Sequence, residues 1–269
     1  MAKLVWTATP IPALRTFYFK IYLFLVRGQT RVANVDGITF VLDLSEIIDA
    51  AIFLGSYESD VKRAIDRYFR EGQTALDIGA NVGAHALLLA QRAGPRGRVY
   101  AFEPTDYAYR KLITNMSHNN FTNLQAFQLA LSNKEMDAQE IKYRSSWRSD
   151  GQQIDATTRV DFRRLDIWCH AHSIDRVDFI KIDVDGEEFP ILAGALSVLQ
   201  VSRPTVVVEI GVWHFRGPTP NPLSVLHQLG YRFMDAKTLR DFSTPNDIYA
   251  KLAQHRAPDS ISINIIAEP

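Results

Sequence analysis

The sequence predicts an α/β protein: a doubly wound, mostly parallel sheet with an antiparallel last strand, preceded by an N-terminal helix and a β-hairpin. Three observations carry that expectation. Apolar strand-like runs alternate with helical stripes from residue 74 to residue 229, the pattern of parallel strands joined by crossover helices. Residues 177–184 and 204–210 are apolar almost throughout, as strands covered on both faces should be. Between these, Leu76-Asp77-Ile78-Gly79-Ala80-Asn81-Val82-Gly83 runs from an acid into a Gly-containing turn. The next apolar run closes on Glu103, 20 residues beyond Gly83. Acids and glycines in that order belong to a nucleotide-type site at the carboxyl edge of a parallel sheet.

Taken in order, residues 33–42 read as a hairpin turning at Asp36-Gly37, a dipeptide suited to tight hairpin turns. Val61, Ala64, Ile65, Tyr68 and Phe69 form a helical stripe with Ser59 or Asp60 as cap, ended by Glu71-Gly72. Strands are expected at 74–78, 98–102, 124–131, 177–184 and 204–210, with helices at 84–93, 105–119, 187–199 and 222–229. Pro190 falls in the first turn of its helix, where proline is tolerated. Strands at 231–235 and 260–267 finish the sheet. The segment between them, 244–259, is polar with only a weak helical centre, so the last strand is expected to run antiparallel. Residues 133–166 break the rhythm with a long polar stretch around Trp147, readable as a lid over a site or as an exposed hairpin.

The chain's 269 residues allow one large domain, expected over 55–269, with an appendage over 1–54. A net charge of zero gives no electrostatic case for nucleic acid or an acidic membrane. Cys169 is the single cysteine, which excludes an internal disulfide and a cysteine zinc site and fits a reducing, cytoplasmic setting. Residues 17–26 are apolar and aromatic, bracketed by Arg15 and Arg27 and interrupted by Lys20. That is shorter than the roughly 20 residues a spanning helix needs, and no cleavage-like site follows it. A helix packed on the domain or on a second subunit, as in a homodimer, is the favoured reading; a membrane-surface anchor is the other.

The strand ends gather Asp77, Glu103, Asp183, Asp185 and Glu209. Carboxylates at the ends of buried strands are desolvated unless something binds them. Asp185, just before the helix at 187, is the best candidate for plain helix capping. A dinucleotide fingerprint prefers three glycines, and here Gly79 and Gly83 stand with Asn81 between them. Asp77 would repel a pyrophosphate and suits a cationic ligand better. A sulfonium cofactor, S-adenosyl-L-methionine, therefore fits better than a nicotinamide dinucleotide.

Gly55-Ser56-Tyr57-Glu58, Leu76 to Gly83, Ala101-Phe102-Glu103-Pro104, and Asp178 to Glu188 with Ile191-Leu192-Ala193-Gly194 and Val206 to Ile210 resemble the FkbM family of S-adenosylmethionine-dependent methyltransferases. Asp185 stands where that family usually has Glu. The resemblance implies the Rossmann-like class I methyltransferase fold. It implies Asp77, Gly79, Ala80, Asn81 and Gly83 around the methionine end of the cofactor, Glu103 and Pro104 at the ribose, and Ala130 and Leu131 at the adenine. Tyr57, Glu58 and Asp183 complete that cofactor set. It further implies methylation of a sugar, glycan or natural-product hydroxyl.

Removing a proton from such a hydroxyl needs a base, and Asp183, Glu209 and His214 are the catalytic candidates. His85, His170 and His172 lack a comparable position. Asp183, Asp185 and Glu209 are also a minority option for binding a Mg²⁺-like cation. The competing readings are a nicotinamide-dependent oxidoreductase and a non-catalytic cofactor-binding protein. A nucleic-acid methyltransferase is disfavoured by the absent basic excess.

Overall fold

The computed structural model describes residues 29–144, 155–215, 220–254 and 261–269. The expected N-terminal helix, the segment around Trp147 and the end of the 244–259 stretch lie outside them. β1 (Thr30–Val35) and β2 (Ile38–Asp43) form the expected hairpin, closing with Val35 opposite Ile38. α1 (Ile47–Leu54) and α2 (Ser59–Tyr68) follow, then β3 (Thr74–Ile78), α3 (Ala84–Ala93), β4 (Arg98–Phe102), α4 (Asp106–Ser117) and β5 (Leu124–Phe127). Next come β6 (Ala130–Ser132), β7 (Met136–Arg144), β8 (Asp155–Arg164), α5 (Leu165–Ala171), β9 (Phe179–Ile182), α6 (Glu188–Ala193) and α7 (Leu196–Ser202). β10 (Thr205–Gly211), a single 3₁₀ turn at Val212–Phe215, α8 (Leu223–Gln228), β11 (Arg232–Asp235), β12 (Asp241–Phe242), α9 (Pro245–Ala253) and β13 (Ser262–Glu268) finish the chain.

Eight strands pair in the order β12-β11-β13-β10-β9-β3-β4-β5. The central five run parallel, and β13 is antiparallel to both β10 and β11, as the sequence predicts. Alternation along each strand feeds two cores. Leu76, Ile78, Ile180, Ile182, Val206 and Val208 face α5 to α9. Ala75, Phe179 and Val207 face the hairpin, α2 and α3. Period-2 geometry therefore sends Asp77, Lys181 and Glu209 to this second face, at the end where the apolar residues stop.

Several elements differ from expectation. The third strand is two: β5 stays in the main sheet, while β6 leaves it to pair parallel with β8, whose other neighbour is β7. The polar stretch thus becomes a long hairpin in a second, three-stranded sheet. The helix expected over 187–199 breaks at Gly194-Ala195 into α6 and α7. Asp166, at the start of the unexpected α5, accepts hydrogen bonds from the backbone N–H groups of Ser197 and Val198, which fixes the start of α7. α1 was not expected either, and α9 is a full helix with a capping box between Thr244 and Asp247. α2 is preceded by Glu58 in left-handed backbone (φ 34°), not capped by Ser59 or Asp60.

Gly194 explains the break. A Cβ there would lie 2.1 Å from the carbonyl oxygen of Ser132 on β6, so the two segments touch backbone to backbone. Gly194→Ala should overpack that contact and cost about 2 kcal/mol, lowering the melting temperature by roughly 5 °C. A thermal melt matching wild type would show that the contact can give way.

Candidate active site

A cavity of about 1140 Å³ opens at the carboxyl ends of β3, β4 and β9. Gly79 and Asn81 wall it from the turn after β3, Glu103 and Pro104 from beyond β4, Ala130 and Leu131 from β6, and Asp183 and Asp185 from beyond β9. The walls from α1 and α4 were not anticipated. Glu46 and Ile48 flank the start of α1, Tyr107 comes from α4, and Ile141, Lys142, Tyr143, Ala156 and Thr157 come from the β7–β8 hairpin. The hairpin thus joins the two readings of its sequence, being a hairpin that also borders the site. Tyr57, Glu58, Asp77, Ala80, Gly83, Glu209 and His214 stand off the cavity wall.

Lys181 is the residue that sequence reasoning passed over. It sits opposite Asp77 in the β3–β9 register and is 3% exposed. Its ammonium donates to the carbonyl oxygen of Gly79 at 2.9 Å and stands 3.6 Å from Asp77 Oδ1 and 3.5 Å from Asp183 Oδ2. Burial alone would lower its pKa, but Asp183, Asp77 and Glu58 outweigh that and hold it above its ordinary value. A lysine inside an otherwise apolar strand was the available signal.

Both oxygens of the fully buried Asp77 lack a hydrogen-bond partner, and burial raises its pKa even against the pull of Lys181. Glu58 approaches His85 (Oε2 to Nδ1, 3.4 Å), and Tyr57 stacks on the same imidazole at 5.4 Å. Burial holds His85 well below its ordinary pKa, hence neutral. Desolvation first, then neighbouring acids, push Glu58 to about 7 despite Lys181. Burial and the charge of Asp183 push Glu209 to about 8. Three acids, Glu58, Asp77 and Asp183, therefore surround one ammonium, with Glu209 beyond Asp183.

Glu103 is buried, and its carboxylate accepts from the backbone N–H of Asn81 and of Thr105, each at 2.9 Å, and from the Thr105 hydroxyl. Asn81 reaches Glu103 by adopting a positive φ of 49°. The two glycines of the turn serve the protein's own packing. A Cβ on Gly79 (φ 77°) would lie 1.8 Å from the carbonyl oxygen of Asp183, and one on Gly83 (φ 90°) would lie 2.5 Å from the Leu112 side chain. The first contact brings the β3 and β9 loops together, so Asp183 stands beside the turn.

His214 points inward. Its Nδ1 accepts the Gly211 N–H at 3.0 Å, so the ring proton resides on Nε2, which donates to Glu188 at 2.6 Å. The other oxygen of the fully buried Glu188 accepts from the N–H groups of Val184 and Gly186. Both imidazole nitrogens are engaged, and the pair ties the end of β10 to the loop after β9. Asp185, expected as a cap, lies outside α6, whose cap position is Glu187. Instead Asp183, Asp185 and Glu209 bring carboxylate oxygens within 4.8 Å of one another, an all-oxygen donor set of the type hard divalent cations take. No helix among the described residues is long and apolar enough to cross a membrane.

The profile of the Methyltransferase FkbM domain matches residues 77–233. The chain is 29% identical over 147 residues to the 2-O-methyltransferase NoeI of Sinorhizobium fredii, covering 48% of this chain and 59% of the relative. It is 26% identical over 157 residues to the hexuronic acid methyltransferase AglP of Haloferax volcanii, covering 57% and 62%. The matches thus span about three-fifths of these relatives' length. Among solved structures, methyltransferase FkbM from Methylobacillus flagellatus aligns over 94% of this chain and 59% of that one, with 15% identity and a TM-score of 0.44.

Lys181→Met should leave Asp77 and Asp183 unpaired and cost about 3–5 kcal/mol, the scale for stranding one partner of a buried ion pair. Adding Asp77→Asn should recover part of that loss in denaturant titrations. No recovery would separate the lysine from Asp77. A second expectation concerns pH. In the unfolded chain Glu58 and Glu209 ionise near 4.5, whereas the folded protein keeps their protons to about 7 and 8. The folded state then binds more protons than the unfolded, so stability falls as pH rises through this window and levels off above it. His85, depressed in the fold, acts oppositely only below about 6.5. Melting temperature should therefore drop from pH 6.5 to pH 8.5, and Glu209→Gln should flatten the upper part of the slope. A rise over that interval would contradict the assigned directions.

Proposed function

The chain belongs to the FkbM methyltransferase family, and from that premise we propose that it uses S-adenosyl-L-methionine to methylate a hydroxyl of a sugar, glycan or small natural product. The observation that carries the cofactor is the imbalance of acid over base: Glu58, Asp77 and Asp183 around Lys181, with Asp77 and Glu58 retaining oxygens that no hydrogen bond satisfies. Buried acids that outnumber their one cationic neighbour suit a ligand bearing an ammonium and a sulfonium, whose charge would favour their ionised forms. Gly79 and Asp183 would hold its methionine end with Asp77 behind them, Glu103 the ribose, and Ala130 and Leu131 the adenine. A cavity of about 1140 Å³ leaves room beside the cofactor for an acceptor.

Bound there, the sulfonium supplies an already activated methyl group. What remains for the protein is alignment and removal of the acceptor's proton. Asp183 is the base in this reading. It lines the cavity, is partly exposed, and lies within reach of both Lys181 and Glu209. Glu209 lies close enough to share the proton taken up. His214 orients the two loops through Glu188, with its Nδ1 committed to Gly211. The hydroxyl acceptor follows from the relatives named for sugar and 2-O methylation. The setting we infer is cytoplasmic, in line with the one buried, unpaired cysteine.

Calorimetry should detect S-adenosylmethionine or S-adenosylhomocysteine and no NAD. The reverse result would transfer the chain to the oxidoreductase reading. Asp183→Asn should leave homocysteine-product affinity near wild type and lower turnover by about 10²-fold. Undiminished turnover would remove Asp183 from proton transfer. Activity lost to a chelator and restored by Mg²⁺ would recast Asp183, Asp185 and Glu209 as ligands.

A further inference from the structure

Glu209 and Gly211 are two residues apart on β10, so their Cβ directions share one face of the sheet. A Cβ on Gly211 would come within 2.2–2.4 Å of three carbons of the Trp213 ring. The indole therefore occupies the side-chain position next to Glu209 on that face. The turn carrying it is anchored on three sides. His214 binds Gly211 and Glu188, and Phe215 packs on Tyr249 of α9 with ring centroids 5.1 Å apart. Yet Trp213 remains 38% exposed. Scattered exposed apolar side chains need no explanation. This one is held in place by a glycine, a buried histidine and a buried glutamate, beside three clustered carboxylates.

A flat apolar face bordered by hydrogen-bond acceptors matches one class of ligand. A pyranose ring shows a patch of C–H bonds on one face and hydroxyl donors around its rim. An indole provides a large, rigid surface for the first, and carboxyl oxygens accept from the second.

We propose that Trp213 is the platform for a pyranose ring of the acceptor, whose hydroxyls donate to Glu209 and Asp185. The proposal deepens the methyltransferase reading above and rests on it. It makes Trp213 a specificity-determining residue outside the cofactor set.

The test uses the full chain loaded with S-adenosylhomocysteine. It is titrated calorimetrically with methyl glucoside, galactoside, mannoside, fucoside and glucuronoside, and with catechol as the planar control. At least one pyranoside should bind wild type. Trp213→Leu, which keeps apolar bulk over Gly211 but no flat face, should weaken it about tenfold or more, while Trp213→Phe retains most of the affinity. Product affinity should stay within about twofold in both variants. Equal pyranoside affinity in wild type and Trp213→Leu would overturn the platform, as would product binding with no pyranoside bound, or binding of catechol alone. Failure to bind S-adenosylhomocysteine would instead overturn the methyltransferase reading and take this proposal with it.

Discussion

A single buried ammonium sets the terms for everything at the carboxyl edge of the sheet. Lys181 lies inside β9, opposite Asp77, and its reach extends to the Gly79 carbonyl and to Asp183. Without it, three strand ends would bring only anions together in a dry interior, an arrangement that Coulomb repulsion and desolvation both oppose. With it, the anions are gathered but not neutralised. The remainder of negative charge is what distinguishes this edge from an ordinary ion-pair network, and it is a property of the fold before any ligand arrives.

Strand alternation then distributes the parts. The residues between Asp77 and Ala75, Lys181 and Phe179, or Glu209 and Val207 point into the opposite core, so one face receives the polar groups and the other stays apolar. Backbone contacts hold the loops beyond the strands at their working distance, Gly79 against Asp183 and Gly194 against Ser132. The Glu188–His214 pair adds a link between neighbouring strand ends. Each of these devices joins segments far apart in sequence.

That distance separates what could be read from the sequence from what could not. β3, α3 and β4 fall where their apolar runs, glycines and terminal acids put them, because these signals are local. The antiparallel last strand followed from the polar stretch before it. α1 was missed since Glu46 makes no side-chain cap and the helix is apolar on most sides. The break at Gly194 depends on Ser132, and the role of His214 on Glu188, neither of which leaves a periodic trace. Trp213 carries no local signal of its own, because its meaning comes from Gly211 and from the face of the sheet on which Glu209 lies. α9 did carry a legible start in Thr244-Pro245-Asn246-Asp247, masked by the polar residues around it.

The second sheet has a consequence for how such a protein can diversify. β7 and β8 leave the main fold after β6 and return to it at α5, contributing cavity wall without taking part in the eight-stranded ladder. Lengthening or shortening that excursion changes a closed loop, whose entropic cost grows only with the logarithm of its length. The ion network and both cores would be untouched. The shape of the cavity wall and the stability of the fold are thereby placed under separate control, so one can change while the other is kept.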